Sequence, residues 1–413
     1  MPFISDDDIK IFLNETNYDI RESHNGRWID QKCTPDVLWS ISDFILNYIE
    51  NVKEEFTVND IWRSEYAKAT IAETYSKPGT DEASAENEYD KVFSQPINLL
   101  CYAGVLEDIS TTRRHLYRVV RKEVLEYISK NDNYSLRFLQ MYIEKVLKDS
   151  NIYHLFENFF DRQDSAMFSF LKKEFIDFYH LYTPVQKDYE PKRIFTKVLN
   201  PLAYKFKSLG TEKGRMSKNI IVRSDLMYNR DNFRDVYKDK PKGITRKDWL
   251  SMHPEIDIRN GYYEQVMASI KKFFKGFIFE NRRNISELTQ FGENYDDFVE
   301  ATQVHHIFPK NEFPEIMHYI ENLIALTPNQ HFCYAHPDNN TQIVDLEAQK
   351  VLLIAKTKSI KWNLENEVPI YEFCDFLEVL RVGLEDDSVL EIEENDFNGI
   401  MHFINYKYDE IIL

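Results

Sequence analysis

The sequence predicts a mainly α-helical chain of the α+β class, in which small β elements accompany long helices. Two observations predict this class. Only 11 Gly and 14 Pro interrupt the 413 residues, so long stretches are compatible with helices. Hydrophobic residues make up 43% of the chain and aromatic residues 14%, which is typical of globular domains and not of disordered chains. A chain of this length can form two or three domains, each with its own core.

Residues 34–101 predict three helices. Thr34 and Pro35 are a typical N-cap and first helical residue, and apolar side chains follow at helical spacing. A second, short helix is expected at about 58–66. A third is expected at about 88–101, ending before Gly104, which suits the position after a helix C-cap.

Residues 105–120 predict a β-hairpin. Its two strands, 105–108 and 115–120, flank a polar turn that carries Arg113 and Arg114. Three helices followed by a hairpin resemble the winged-helix fold, which we therefore expect over residues 1–120. The resemblance implies that Arg113 and Arg114 contact DNA, but winged helices also bind proteins, so both kinds of partner remain open.

The middle of the chain combines a helical region with a basic one. Residues 121–185 are rich in aromatic side chains at helical spacing, which predicts a packed helical connecting region. The net charge is −18, yet residues 191–250 hold 16 Lys and Arg against 6 Asp and Glu, a balance of +10 that leaves −28 for the rest. Such segregation favours a polyanion-binding surface over a solvated charged face, so we expect residues 186–300 to recognise DNA.

The candidate DNA contacts in this region are basic side chains. Two glycines bracket the segment Gly210 to Gly214 within a Lys/Arg-dense loop, where backbone could approach a phosphate closely. Lysine commonly neutralises phosphate, whereas Arg and Asn also suit base edges. The candidates are Lys205, Lys207, Lys213, Arg215, Lys218, Arg230, Arg234, Lys242, Arg246 and Lys247.

The residues that carry chemistry lie in 301–345. His305 and His306 stand among Val, Ile and Phe residues typical of a strand, and Asn322 follows 16 residues after His306. The apolar run 323–326 predicts a second strand, and Thr327-Pro328 then predicts a helix start. His331 lies on that helix, 9 residues after Asn322. The expected order is strand, loop, strand, helix.

This motif resembles the HNH, or ββα-metal, nucleases, whose three hallmark residues correspond here to His306, Asn322 and His331. The sequence around these residues is also similar to that of an HNH group found in type II restriction endonucleases. The resemblance implies that His306 is the general base, that Asn322 braces the loop, and that His305 and His331 bind a metal ion. His336 would be a third ligand, although it follows His331 by five residues rather than by the four that place two side chains on one helix face.

The chemistry of phosphodiester cleavage agrees with this assignment. One divalent cation can polarise the phosphate and neutralise the leaving oxygen while a base deprotonates water. Histidine, with an ordinary pKa of about 6.5, is suited to accept that proton near neutral pH. Mg²⁺ or Mn²⁺ is the expected metal, and imidazole ligands would also accept nickel, cobalt or zinc.

We therefore expect a sequence-specific double-stranded DNA endonuclease of the type II restriction kind, with a C-terminal helical region, 346–413, packed on the catalytic module. A homodimer would suit palindromic sites. Two alternatives stay open: a nuclease that depends on a methylated base, and a winged-helix DNA-binding protein with an inert HNH remnant. No phosphate-binding loop of an NTPase occurs, so no nucleotide cofactor is expected.

Cysteine usage and hydropathy indicate a cytoplasmic protein without membrane contact. The four cysteines are far apart and form no Cys-x-x-Cys pair, which disfavours a structural zinc site. The N-terminus lacks an apolar signal core, and no run of about 18 apolar residues occurs. A secreted toxin nuclease is therefore disfavoured.

Overall fold

The structure is a computed structural model that describes most of the chain. The described residues are 4–75, 86–111, 115–228, 240–241, 243–254, 267–268, 270–271, 274–276, 285–292, 299–334, 345–366, 368 and 370–412. The chain divides into two compact units, Met1–Asp235 and Val236–Leu413. The boundary falls inside the region 186–300 that the sequence predicts as one basic recognition region.

The described residues are mainly helical and carry three small antiparallel sheets, which confirms the predicted class. Helices of the first unit are α1 (Asp6–Asn14), α2 (Ile20–Ser23), α3 (Pro35–Asn51), α4 (Val58–Trp62), α5 (Glu65–Tyr75), α6 (Glu86–Tyr102), α7 (Lys122–Ser129), α8 (Asp132–Asp149), α9 (Tyr153–Arg162), α10 (Ser165–Tyr182) and α11 (Tyr189–Lys205). Its strands are β1 (Glu55–Phe56), β2 (Leu106–Asp108), β3 (Tyr117–Val119), β4 (Leu209–Glu212) and β5 (Arg215–Ile220). No described helix has the length and apolar character needed to cross a membrane.

A three-stranded antiparallel sheet packs with helices α3 to α6. Its strand order is β1-β3-β2, with Phe56 opposite Tyr117 and Leu106 opposite Val119. The sequence predicted β2 and β3, whereas the two-residue strand β1 is too short to leave a recognisable alternation. Gly104 has φ +79°, a left-handed conformation that ends α6 and turns the chain into β2, as its predicted place after a C-cap requires.

The basic segment around Gly210 is a β-hairpin rather than the predicted loop. Strands β4 and β5 are joined by Lys213 and Gly214, whose φ values of +48° and +78° give the two-residue turn that suits the twist of paired strands. Asn200 of α11 holds the base of the hairpin, because its amide donates to the Thr211 carbonyl and accepts from the Thr211 N–H. A Cβ at Gly210 would lie 2.6 Å from Asn200 Oδ1, so only glycine permits this close approach.

The second unit packs a small two-stranded sheet among helices. It contains α12 (Arg246–Met252), α13 (Glu287–Phe291), β6 (Gln303–His306), β7 (Leu323–Leu326), α14 (Leu346–Glu365), α15 (Phe373–Gly383) and α16 (Phe397–Ile412). The described residues between 267 and 276 are also helical. Every residue of β7 is buried, and α13 packs against both β7 and α14.

A buried ion pair stabilises the outer edge of β7. The side chains of Glu287 and Lys356 are both 0% exposed and lie 3.1 Å apart. Ser359 and Tyr371 also donate hydrogen bonds to Glu287, and the second carboxylate oxygen accepts the Ala325 N–H at 2.9 Å. The backbone of β7 that does not pair with β6 is thereby satisfied by a side chain from α13.

We expect Lys356→Met to lower the free energy of unfolding by ~3–5 kcal/mol, because it leaves the buried Glu287 carboxylate without its cation. Urea unfolding of the full chain, with hydrogen exchange of the β7 amides, measures the loss. The matched control is Lys361→Met on the same helix. That side chain is 42% exposed and pairs with Glu365 at 3.8 Å, so its loss should cost no more than about 1 kcal/mol. Equal losses in the two variants would refute the role given to the buried pair.

Candidate active site

The pairing of β6 with β7 places the two adjacent histidines on opposite faces of one short strand. His305 lies opposite Ile324, and His306 lies opposite Leu323. Because side chains alternate along a strand, the two imidazoles face different surroundings. His305, His306 and His331 are each partly buried, and desolvation is the largest influence on the pKa of His306.

His331 is carried by the helical segment that begins at Pro328 and continues as a π-helix over Gln330–Tyr334. Thr327 and Gln330 form the reciprocal cap expected of a Thr-x-x-Gln sequence: Thr327 Oγ1 accepts the Gln330 N–H, and the Gln330 side chain accepts the Thr327 N–H. Ser286 and Thr289 bind the Gln330 amide from α13. These hydrogen bonds hold the first turn of the helical segment in place relative to α13.

The rings of His305 and His331 meet edge to face, with their centroids 5.3 Å apart and their planes at 76°. Two imidazoles whose nitrogens lie about 2.1 Å from one ion at a tetrahedral angle would have centroids about 5 Å apart. The separation and the chemistry of the pair therefore fit a divalent cation held by two imidazole ligands. Within the described residues, no group of three or more His, Cys, Asp or Glu side chains could hold a metal, and His336 lies outside them.

His306 is oriented by a backbone carbonyl. Its Nε2 lies 3.2 Å from the Met317 carbonyl oxygen, and since a carbonyl can only accept, Nε2 carries the hydrogen and Nδ1 keeps its lone pair. Desolvation, followed by the positive charge of Lys271, lowers the pKa of His306 to about 3 against the raising effect of the Met317 hydrogen bond; Lys310 adds a smaller lowering effect. The ring is thus neutral at neutral pH with its lone pair on Nδ1, and a pKa this far below the ordinary value makes it a weaker base than a free imidazole.

Asn322 closes the loop between the two strands. Its side chain is fully buried; Oδ1 accepts the Phe308 N–H at 2.8 Å, while Nδ2 donates to the carbonyls of Phe308 and Ile316 at 3.1 and 3.3 Å. One amide thus joins the start of the loop to its end. The carbonyl of Met317, which orients His306, follows directly after Ile316.

Other residues that hold this loop carry no local signal in the sequence. Gln349 of α14 donates to the Ile307 carbonyl at 2.7 Å, and Tyr408 of α16 donates to Gln349 at 2.6 Å. At the end of α15, a Cβ on Gly383 would lie 2.3 Å from the Phe308 ring. These contacts join the loop to the C-terminal helices and depend on residues 40 to 100 positions away, which pattern analysis does not connect.

Arg246, predicted to bind DNA, is instead a structural residue. Its side chain is only 10% exposed and pairs with Glu315 at 2.7 Å and with Glu385 at 3.0 Å. The guanidinium also lies over the Phe313 ring, 4.6 Å from its centroid. These ion pairs make Arg246 a weaker candidate for a DNA contact, and local charge density does not show that an arginine is neutralised by carboxylates far along the chain. The loop residue His318 is also buried.

The other predicted DNA contacts fall into three groups. Lys205 is exposed but binds Glu144 at 2.6 Å, which makes it a weaker candidate for a phosphate contact. Exposed on the surface are Lys207, Lys213, Arg215, Lys218 and Lys247. Arg113, Arg114, Arg230, Arg234 and Lys242 lie outside the described residues.

Comparisons with known proteins give no relative. A scan against protein-family models finds no match, and searches of curated proteins and of solved structures find none either. The interpretation of the site therefore depends on its own geometry.

We expect Asn322→Asp to lower the free energy of unfolding by at least ~1–3 kcal/mol, because it removes both amide donors and sets a buried oxygen against two carbonyls. Thermal unfolding and hydrogen exchange in residues 307–322 measure the effect. Asn329→Asp is the matched control, since it makes the same chemical change at an exposed position of the same segment. A loop that exchanges no faster in Asn322→Asp than in this control would argue against the bracing role.

Proposed function

We propose that this chain is a metal-dependent endodeoxyribonuclease of the HNH type, which hydrolyses phosphodiester bonds in double-stranded DNA. The observation that carries the proposal is the arrangement around β6. His305 and His331 meet at a distance that suits one shared cation, while His306, on the opposite face, has a neutral ring with Nδ1 available. Hydrolysis of an anionic ester uses both a metal ion and a separate base, and this segment supplies candidates for each.

Each protein group has a defined task in the proposed reaction. His306 Nδ1 takes a proton from the attacking water, and the imidazolium that forms keeps its Nε2–H bonded to the Met317 carbonyl. Asn322 holds that carbonyl in place by fixing the adjacent Ile316 and the start of the loop. His305 and His331 would hold the cation. When bound, the cation would polarise the phosphate and stabilise the leaving oxygen.

Two features of the first unit support DNA as the partner. Helices α3 to α6 with the sheet β1-β3-β2 support the resemblance of residues 1–120 to a winged helix. The hairpin β4–β5 presents Lys213, Arg215 and Lys218 to solvent. A catalytic segment of about 35 residues gives little selectivity, so we assign target recognition to the rest of the chain and propose a site-specific, restriction-type enzyme.

We expect His306→Ala to abolish cleavage of phage DNA while DNA binding in the presence of the metal is retained, because the variant removes the base but leaves His305 and His331. Agarose gels of unmethylated phage DNA incubated with Mg²⁺ or Mn²⁺ measure cleavage. His402→Ala is the control, since His402 is exposed on α16. Discrete bands from the wild-type chain that vanish only in His306→Ala are the expected result.

Other outcomes would change the proposal in specific ways. Cleavage retained by His306→Ala would exclude this residue as the base. A smear in place of bands would indicate a non-specific nuclease. Cleavage of methylated DNA alone would favour a modification-dependent enzyme, and no cleavage of either DNA would favour a DNA-binding protein with an inert site.

Removal of the metal gives an independent prediction. EDTA should abolish cleavage, and added Mg²⁺ or Mn²⁺ should restore it in the wild-type chain. The double variant His305→Ala, His331→Ala should recover no activity even at millimolar metal, because both proposed imidazole ligands are lost. Isothermal calorimetry with Mn²⁺ measures the binding directly, and unchanged Mn²⁺ affinity in the double variant would place the metal elsewhere.

A further inference from the structure

A groove in the first unit runs between helix α10 and strand β5. Its volume is about 890 Å³, and both walls belong to Met1–Asp235. Apolar atoms of Phe168, Ile176, Leu209 and Met216 contribute to its lining. Lys172 lines it from the α10 side, and Arg215 and Lys218 line it from the β5 side.

The carboxylates that line the groove are already neutralised by other cations. Asp177 binds Lys173 at 2.6 Å, and Asp188 binds Lys192 at 2.8 Å and lies 3.5 Å from His180. Ion pairs of this kind cancel their own charge in the local field. The net positive charge of the groove therefore comes from the cations that have no such partner among the described residues.

Four cations in and beside the groove make no ion pair with any described carboxylate: Lys172, Lys213, Arg215 and Lys218. Lys172 differs from the adjacent Lys173, which does form an ion pair. Desolvation, and then the charge of Lys192, lowers the pKa of Lys172, whereas the hydrogen bond to Asp177 raises that of Lys173. Among the described residues, the polar contact of Lys172 is with the Gly214 carbonyl at 2.6 Å, which ties α10 to the turn of the hairpin.

The hairpin is built so that these cations face solvent. Within the segment from Gly210 to Lys218, the small polar residues are used internally. Thr211 donates its hydroxyl to the Arg215 carbonyl, and Ser217 accepts the Gly210 N–H. The left-handed turn at Lys213 and Gly214 then presents Lys213 next to Arg215.

We propose that this groove binds the sugar–phosphate backbone of the DNA substrate, with Lys172, Lys213, Arg215 and Lys218 contacting phosphates and the apolar lining contacting deoxyribose. The proposal rests on the nuclease function proposed above and assigns the polyanion contact to a surface that includes helix α10, which sequence analysis did not identify. Unpaired cations along both walls of an open, partly apolar groove match a linear polyanion whose sugars are apolar between its charges. Each phosphate contact releases counterions, so the interaction should depend steeply on salt.

The test is fluorescence anisotropy with a labelled 30-base-pair duplex in EDTA, so that binding is measured without cleavage, over a series of salt concentrations. Arg215→Glu and Lys218→Glu should each weaken binding about tenfold and lower the slope of log K against log salt by about 0.9 per lost contact. Lys10→Glu, an exposed position on α1, makes the same change of charge away from the groove and should leave both values unchanged.

A second pair of variants separates charge from shape. Ser169 is exposed on α10 and lines the groove. Ser169→Asp should weaken binding several-fold by repelling phosphate, whereas Ser169→Asn, of nearly equal size, should bind as the wild-type chain does. Circular dichroism and thermal unfolding confirm that each variant is folded.

The outcomes distinguish this proposal from the nuclease proposal. Three results would each refute the proposed DNA contact of the groove. They are an unchanged salt slope in Arg215→Glu and Lys218→Glu, an equal loss of duplex affinity in Lys10→Glu, and no duplex binding by the wild-type chain. Weaker binding in the groove variants without cleavage of any DNA by the wild-type chain would support the groove and reject the nuclease. Normal duplex binding by the groove variants, together with cleavage that depends on His306, would support the nuclease and reject the groove as the DNA contact.

Discussion

The side-chain amide of Asn322 is the interaction on which the candidate site depends. A two-stranded sheet has little stability of its own, and the strands β6 and β7 are separated by a loop with no regular strand or long helix. Asn322 adds three side-chain hydrogen bonds to the backbone bonds within this loop, and its complete burial makes each of them costly to break. The Met317 carbonyl, and with it the orientation of His306, depends on that closure.

The same sheet is supported from its other edge by the Glu287–Lys356 pair. A buried ion pair gains little over apolar packing in general, because desolvation cancels most of the attraction. Here the carboxylate has a second use, since it binds the Ala325 N–H on the side of β7 that pairs with no strand among the described residues. The ion pair thus satisfies the outer edge of β7 and holds this strand in place. Asn322 holds the loop that leads into β7.

The sequence predicted the elements of the site better than their supports. Strand, loop, strand and helix start could be identified because strand-favouring residues, the apolar run 323–326 and the Thr-Pro cap are local signals. The resemblance to the HNH motif then implied which histidines bind one metal ion. Glu287, Gln349 and Gly383 could not be found, because their roles depend on partners far along the chain. The same limit applies to Arg246, whose partners Glu315 and Glu385 lie about 70 and 140 residues away and could not be inferred from local charge density.

The paired and unpaired cations also explain how a chain of net charge −18 can present a surface to DNA. At physiological ionic strength, screening limits the reach of an exposed charge to about 8 Å, so a phosphate responds to the charges beside it and not to the protein average. Arginines such as Arg246 add to the composition of the basic region but not to its field, because carboxylates cancel them. Among the described residues, Lys172 and the hairpin cations Lys213, Arg215 and Lys218 form no ion pair, although Glu212 lies opposite Arg215 in the hairpin, and these four cations can contribute to the field. In the proposed complex, an excess of acidic groups elsewhere would disfavour other orientations of the DNA, which would add selectivity without adding contacts.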